Sequence, residues 1–273
     1  MKQKSSKKLL STSLLLVLIA LVSLTAATTA WMTIADSTRL KTMRLDVTSG
    51  ANLRFDLDSH ETFEEYVKSL RLIDIADRIL RDQGYHPREN PLSPVTTTDC
   101  IHFTLENGEP AAKESYMEFV LHFMATDDMV VHLTTAGEDG TRIFSDEVSD
   151  IAKAMRISFT ADDSTAVYDP GMEPGSEEGL GGKIFGLARG NRIVYDASNT
   201  LFFLKAGVDK PVTVRIWLEG TDEICTDALR GVPYNIQLRF VGTDENGNLL
   251  EDSRTTTRRS AAATPTEERN ENK

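Results

Sequence analysis

The feature that most constrains this chain is an apolar alternation of period two that recurs along most of its length. In Val212-Thr213-Val214-Arg215-Ile216-Trp217-Leu218, Val212, Val214, Ile216 and Leu218 fall on one side, with Thr213, Arg215 and Trp217 on the other. Successive strand side chains point to opposite faces, so such a segment buries one side only. Asn235-Ile236-Gln237-Leu238-Arg239-Phe240 repeats the pattern with Ile236, Leu238 and Phe240 inward. Further copies are Leu53/Phe55/Leu57, Ile101/Phe103/Leu105, Met117/Phe119/Leu121/Phe123, Met129/Val131/Leu133 and Met155/Ile157/Phe159. One-sided strands in this number need a second layer to cover them. The expectation is a mainly β protein, a two-sheet antiparallel β-sandwich of jelly-roll type, spanning residues 31–251. Asn107-Gly108, Asp139-Gly140 and Asn246-Gly247 supply hairpin turns between these segments. No internal repeat of fixed spacing is present.

One stretch departs from the alternation. Between 59 and 82, Phe63, Val67, Leu70, Ile73, Ala76 and Leu80 recur every three or four residues, which predicts one inserted amphipathic helix. Asp58 or Ser59 is placed to cap it and Gly84 to end it. A shorter helix is expected around 146–152. Residues 169–182, rich in Gly and Pro, read as a surface loop. Residues 252–273 have almost no apolar side chain larger than alanine, so they cannot offset their ordering entropy and are expected to be disordered.

The first thirty residues have another character. Lys2, Lys4, Lys7 and Lys8 precede the uncharged run Leu9 to Ala30, whose apolar centre is Leu14 to Val22. A basic region, an apolar helix and small residues before a cleavage point make a signal peptide over 1–30, cut between Ala30 and Trp31 by a signal peptidase. The run is also long enough to span a bilayer, which takes about 20 residues, so an uncleaved N-terminal anchor with the domain outside is the alternative. Either way the membrane is met only through the leader, and localisation is extracellular or at the cell surface. The net charge is −12, and cleavage would remove four lysines and no acidic residue, leaving 26 basic against 42 acidic. Such a surface repels phosphate backbones, which argues against a nucleic-acid partner. Cys100 and Cys225 could bridge in that compartment or remain two buried thiols.

The motifs of catalysis are missing from the sequence. Gly179-Leu180-Gly181-Gly182-Lys183 lacks the ending and context of a phosphate loop. The histidines His60, His86, His102, His122 and His132 form no His-Glu-x-x-His pair, although His102, His122 and His132 each fall on a polar strand face. Asp244-Glu245-Asn246-Gly247-Asn248 has its glycine at the fourth loop position where a calcium helix-loop-helix site has it at the sixth. Asp162-Asp163, Asp222-Glu223 and Asp227 offer at most a weak extracellular Ca²⁺ site. No catalytic, cofactor or metal residue is assigned, and a non-enzymatic protein is expected. Trp217, opposite the aliphatic stripe of its strand, is either covered or a surface contact, and Tyr234 is a second contact candidate. The new N-terminus Trp31-Met32-Thr33-Ile34 is apolar and extended, so Trp31, Met32 and Ile34 form a candidate assembly segment that could complete a neighbour's sheet.

The stretch Leu21-Val22-Ser23-Leu24-Thr25-Ala26-Ala27-Thr28-Thr29-Ala30-Trp31-Met32-Thr33-Ile34-Ala35-Asp36, followed by Met43-Arg44-Leu45-Asp46-Val47, resembles the leaders of Gram-positive secreted proteins processed by the SipW-type signal peptidase. It is similar in this to the TasA/camelysin biofilm-matrix family. Leu92 to Thr97, Ala154 to Phe159 and Val214 to Gly220 resemble uncharacterised Firmicutes surface proteins. The resemblance implies a secreted jelly-roll sandwich and a structural role in the cell surface or extracellular biofilm matrix, through self-association or contact with other matrix proteins. Camelysin is described as a metallopeptidase, but no metal motif in this chain carries that activity over. The competing expectation is a surface adhesin or a carbohydrate- or protein-binding module without catalysis.

Overall fold

The computed structural model describes residues 40–48, 52–147, 150–190, 193–226, 229 and 232–250. The leader, the cleavage point Ala30/Trp31, the segment Trp31, Met32 and Ile34, Asp227, and the tail 252–273 lie outside the described residues. In chain order the elements are β1 (Leu40–Val47), β2 (Leu53–Asp56), β3 (Ser69–Arg71), α1 (Leu72–Gln83), β4 (Pro94–Thr97), β5 (Phe103–Thr104), β6 (Met117–Ala125), β7 (Met129–Leu133) and β8 (Arg142–Phe144). They continue as α2 (Ile151–Ala154), β9 (Met155–Ala161), β10 (Ser164–Tyr168), β11 (Gly175–Gly179), β12 (Gly182–Gly186), β13 (Thr200–Leu204), β14 (Lys210–Glu219) and β15 (Tyr234–Thr243).

These strands build the expected two-sheet sandwich. The smaller sheet has six strands in the order β13-β7-β15-β1-β3, with β8 also on β15. The larger has nine, β11-β12-β10-β9-β14-β4-β5, with β6 on β14 and β2 on β6. The alternating apolar residues face the space between them: Val212, Val214, Ile216 and Leu218 of β14, Met155, Ile157 and Phe159 of β9, and Ile236, Leu238 and Phe240 of β15 are all buried in one core. Phe240 of the smaller sheet meets Phe55, Phe123 and Phe159 of the larger edge-on, at ring-centre distances of 5.7, 5.2 and 5.9 Å. Aromatic quadrupoles favour that geometry.

The sheets are mixed where a purely antiparallel sandwich was expected. β1 runs parallel to β15, β10 to β12 and β4 to β14. Alternation records which side of a strand is buried and carries nothing about the direction of its neighbour, so this could not be read from the pattern. β1 and β15 stand at opposite ends of the domain in sequence, and a parallel pair between them needs no local crossover.

The inserted helix is shorter than the 59–82 spacing implied. Val67 exchanges backbone hydrogen bonds with Phe55, and Ser69–Arg71 pairs with β1, so ladder pairing takes the first half of that stretch. Helix α1 then buries Leu72, Ile75, Ala76 and Ile79, while Ile73 and Leu80 of the expected stripe are exposed. Its start is held by the Asp74 carboxylate, which accepts the Arg71 N–H, in place of Asp58 or Ser59. Gly84 ends it as expected, in a left-handed conformation (φ 82°) that returns its N–H to the Leu80 carbonyl. Arg78 ties the helix to the end of β2 through Asp58 and the Leu57 carbonyl. The second expected helix is the single turn α2. The expected loop at 169–182 contains β11, which forms a hairpin with β12.

β4, β5 and the chain out to Tyr116 pack beside Trp217 of β14 on the side away from the main core. Val95, Cys100, Phe103, Val167 and Trp217 form a second buried cluster there, with Phe103 stacked on Tyr116 at 4.1 Å. The cover is pinned by Asp99, which accepts the N–H groups of Ile101 and His102 and bonds the His102 ring.

Candidate functional site

Sheet edges are where a sandwich offers unpaired backbone to another chain, and most edges of this protein are blunted. β3 has three residues and runs directly into α1. The outer side of β2 is bridged by Val67. β11 presents Glu177 and Glu178, both exposed. β13 is different. Its sequence Thr200-Leu201-Phe202-Phe203-Leu204 is apolar and rich in aromatics, and it pairs with β7 on one side only among the described residues. Leu201, Phe202 and Leu204 are buried, whereas Phe203 is 45% exposed. The Lys183 ammonium, donating to the carbonyls of Ala197 (2.7 Å) and Thr200 (2.6 Å), closes only the start of this edge.

The sheet face beside the edge carries further apolar side chains, Val130 and Leu249, with Asp196, Asp244 and Glu245 at the hollow next to them. The register places Phe203 beside Val130, Val130 beside Thr243, and Thr243 in a bridge with Leu249, so these residues form one row across the sheet. Leu249 is 57% exposed. A hollow of about 240 Å³ beside this row is lined by Val130, His132, Tyr195, Phe203, Thr243 and Gly247. Gly247 is required there: its φ is 79°, and a Cβ at that position would lie 2.0 Å from the Tyr195 carbonyl oxygen.

His132 braces the hollow from within. Asn199 donates its Nδ2 to the Val194 carbonyl (2.7 Å), which turns its Oδ1 toward His132 Nδ1 (2.8 Å). Nδ1 therefore carries the imidazole proton, leaving Nε2 beside the Thr243 hydroxyl at 3.1 Å. Burial lowers the His132 pKa below the ordinary imidazole value, against the opposing pull of Asn199. The sign follows: with a folded pKa below the unfolded one, the unfolded chain binds the proton first. This contribution to stability is full above about pH 6.5 and is lost as pH falls below it. The urea midpoint of the wild type is expected to drop between pH 8 and pH 5 more than that of His132→Gln. Equal slopes would show that His132 does not report on this hollow.

The other singled-out residues lie elsewhere. Trp217 is fully buried, the covered one of its two expected placements, and Tyr234 is fully buried too, so neither is a surface contact. Trp217 is covered because Phe103 packs edge-on against it at 5.4 Å, and its Nε1 donates to buried Glu219 at 3.0 Å. Tyr234 starts β15 beside Leu40 of β1, on the inner side of the sandwich. Cys100 and Cys225 are separate free thiols, which corrects the disulfide alternative. Burial pushes them up to about 11 and about 12, so both stay protonated and unreactive.

The three histidines on polar faces do not converge. His102 bonds Asp99, His132 bonds Asn199, and His122 Nδ1 lies 2.9 Å from Asp209. Asp209 also accepts from Ser59 (2.9 Å) and Tyr66 (2.7 Å), so the carboxylate stands in the centre of that group. A nucleophile triad needs the imidazole between hydroxyl and carboxylate, and this arrangement instead anchors the 57–66 segment. Among the described residues no group of three His, Cys, Asp or Glu side chains is placed to hold a metal ion. Asp244 spends its carboxylate on the turn, accepting from the N–H groups of Asn246 and Asn248 and from the Asn248 amide.

β13 was not singled out in the sequence because its apolar run is continuous. An unbroken run of this kind reads equally as a central strand, and nothing in it marks Phe203 as the outward member. The chain matches no protein-family model, no curated protein and no solved structure.

Proposed function

We propose that this chain is an exported, non-catalytic structural protein of the cell surface or extracellular matrix that assembles with copies of itself through the β13 edge. The observation that carries this reading is an apolar edge strand whose outer side pairs with no other strand among the described residues, in a protein whose other edges are short, bridged or charged. The basic and apolar leader and its resemblance to SipW-dependent leaders support export. The N-terminal residues Trp31, Met32 and Ile34 have the character of an incoming strand, and β-strand addition supplies a way for an extended segment to use an open edge. An adhesin or carbohydrate-binding module is the weaker reading, since Trp217 and Tyr234 lie in the interior.

Phe203→Lys tests the proposal. The position is half exposed, and lysine on an edge strand is a common natural block to edge pairing. In light scattering the variant is expected to need at least tenfold higher concentration than the wild type to exceed monomer mass, with an unchanged far-ultraviolet spectrum. Assembly indistinguishable from the wild type would remove β13 from the mechanism.

A further inference from the structure

The opposite end of the smaller sheet has the reverse chemistry. Cross-strand pairing puts Arg71 of β3, Arg44 of β1, Gln237 of β15 and Arg142 of β8 in one row, so their side chains share one face. A groove of about 530 Å³ lies over this end, where Lys41, Arg44, Arg71 and Arg88 stand beside apolar Ile73 and Phe144. Arg44 is partly neutralised by Asp46 at 2.6 Å and Lys41 by Asp146 at 3.5 Å. Arg71 and Arg88 have no carboxylate partner among the described residues. A concentration of cations with two guanidinium groups unpaired is unexpected on a chain of net charge −12, and it marks a place where an anionic group is received.

The complementary surface is present on the same protein. β11 is the outermost strand of the larger sheet, and Ser176, Glu177 and Glu178 are all exposed. Its cross-strand neighbour at Glu178 is Lys183, whose ammonium is turned instead to the carbonyls of Ala197 and Thr200. Neither carboxylate has an ion-pair partner within 4 Å among the described residues, and as neighbours on a strand they project from its two sides, while the outer backbone edge of β11 pairs with no described strand. A long polyanion would also run over the rest of a chain whose net charge is −12, whereas a short acidic strand needs only the groove.

We infer that the groove lined by Lys41, Arg44, Arg71 and Arg88 receives the acidic edge strand β11 of a second copy of this chain. The inference rests on the self-assembly reading above and adds a second contact to it. Groove and strand are different patches, so the contact is head-to-tail and propagates into an open chain or a ring.

Charge exchange tests this in the protein recovered after expression of the full chain. Arg44→Glu with Arg71→Glu, and separately Glu177→Arg with Glu178→Arg, are each expected to weaken self-association at least tenfold in sedimentation or light scattering. An equimolar mixture of the two is expected to return to within about threefold of the wild type, because each then meets its opposite charge. Arg44→Gln with Arg71→Gln, a milder change that guards against misfolding, is expected to weaken association severalfold. Rising salt should weaken the wild type as it screens charges beyond about 8–10 Å. Wild-type association in the glutamine or either reversed variant, or a mixture of folded variants that stays monomeric, would overturn the inference and leave the β13 reading standing. A wild type that never associates would overturn both.

Discussion

Replacing Arg156 with methionine is expected to cost about 3–5 kcal/mol of folding stability, the range for breaking a buried ion pair by removing one partner. Arg156 lies on the outer face of β9 and is largely buried, and its Nη2 reaches Asp169 at 3.0 Å and Asp222 at 2.9 Å. Its Nη1 donates to the carbonyls of Lys153 and Met155. One guanidinium thus joins the loop after β10, the loop after β14 and the start of β9. Without it, two half-buried carboxylates face each other with no cation between them. Burial already holds the Asp169 carboxyl above its ordinary value in the presence of Arg156, and the variant should raise it further. A carboxyl raised in the folded state gives its stability below the unfolded pKa and loses it as pH rises through the folded one. The Arg156→Met variant should therefore recover part of its loss near pH 4, and adding Asp169→Asn should restore part of it at pH 7. Urea unfolding at both pH values measures this. A loss below about 1 kcal/mol would place the triad among solvent-screened surface pairs.

Phe240→Ala is expected to cost a similar amount, about 3–5 kcal/mol, by a different route. Phe240 is the point where the smaller sheet enters the aromatic contacts of the larger, against Phe55, Phe123 and Phe159. These neighbours sit on β2, β6 and β9, three strands of one sheet that cannot all move into the vacated space together. The hole therefore persists and adds to the lost transfer energy. Phe240→Leu, which keeps most of the volume, should cost clearly less. Equal costs for the two substitutions would mean that ring geometry, and not filled volume, carries the contact.

How far the fold was legible follows from what each signal encodes. The inward residues of β6, β7, β9, β14 and β15 were all readable, because burial on one face of a strand is written as alternation. At β5 the same signal weakened: Phe103 is buried but Ile101 is more than half exposed, since the strand is only two residues long and the chain turns sharply at Cys100. The helix was legible at Gly84 and through Ala76, where the C-cap and the packed face coincide. Its first half was not, because Phe63, Val67 and Leu70 satisfy a helical spacing while their backbone forms a 3-10 turn, a bridge and a strand. The candidate site was the least legible part. Whether Phe203 or Trp217 meets solvent depends on which segment lies over it, and that is decided by residues far away in the chain. The basic row of Arg71, Arg44 and Arg142 likewise exists only once β3, β1, β15 and β8 are in register.

Assembly of copies of this protein through the β13 edge is tested most directly by the mass of the recovered wild-type protein as its concentration rises. Light scattering is expected to show masses growing beyond the monomer, with Phe203→Lys held at monomer mass over the range where the wild type has grown. Wild-type protein that stays monomeric at every concentration would contradict it.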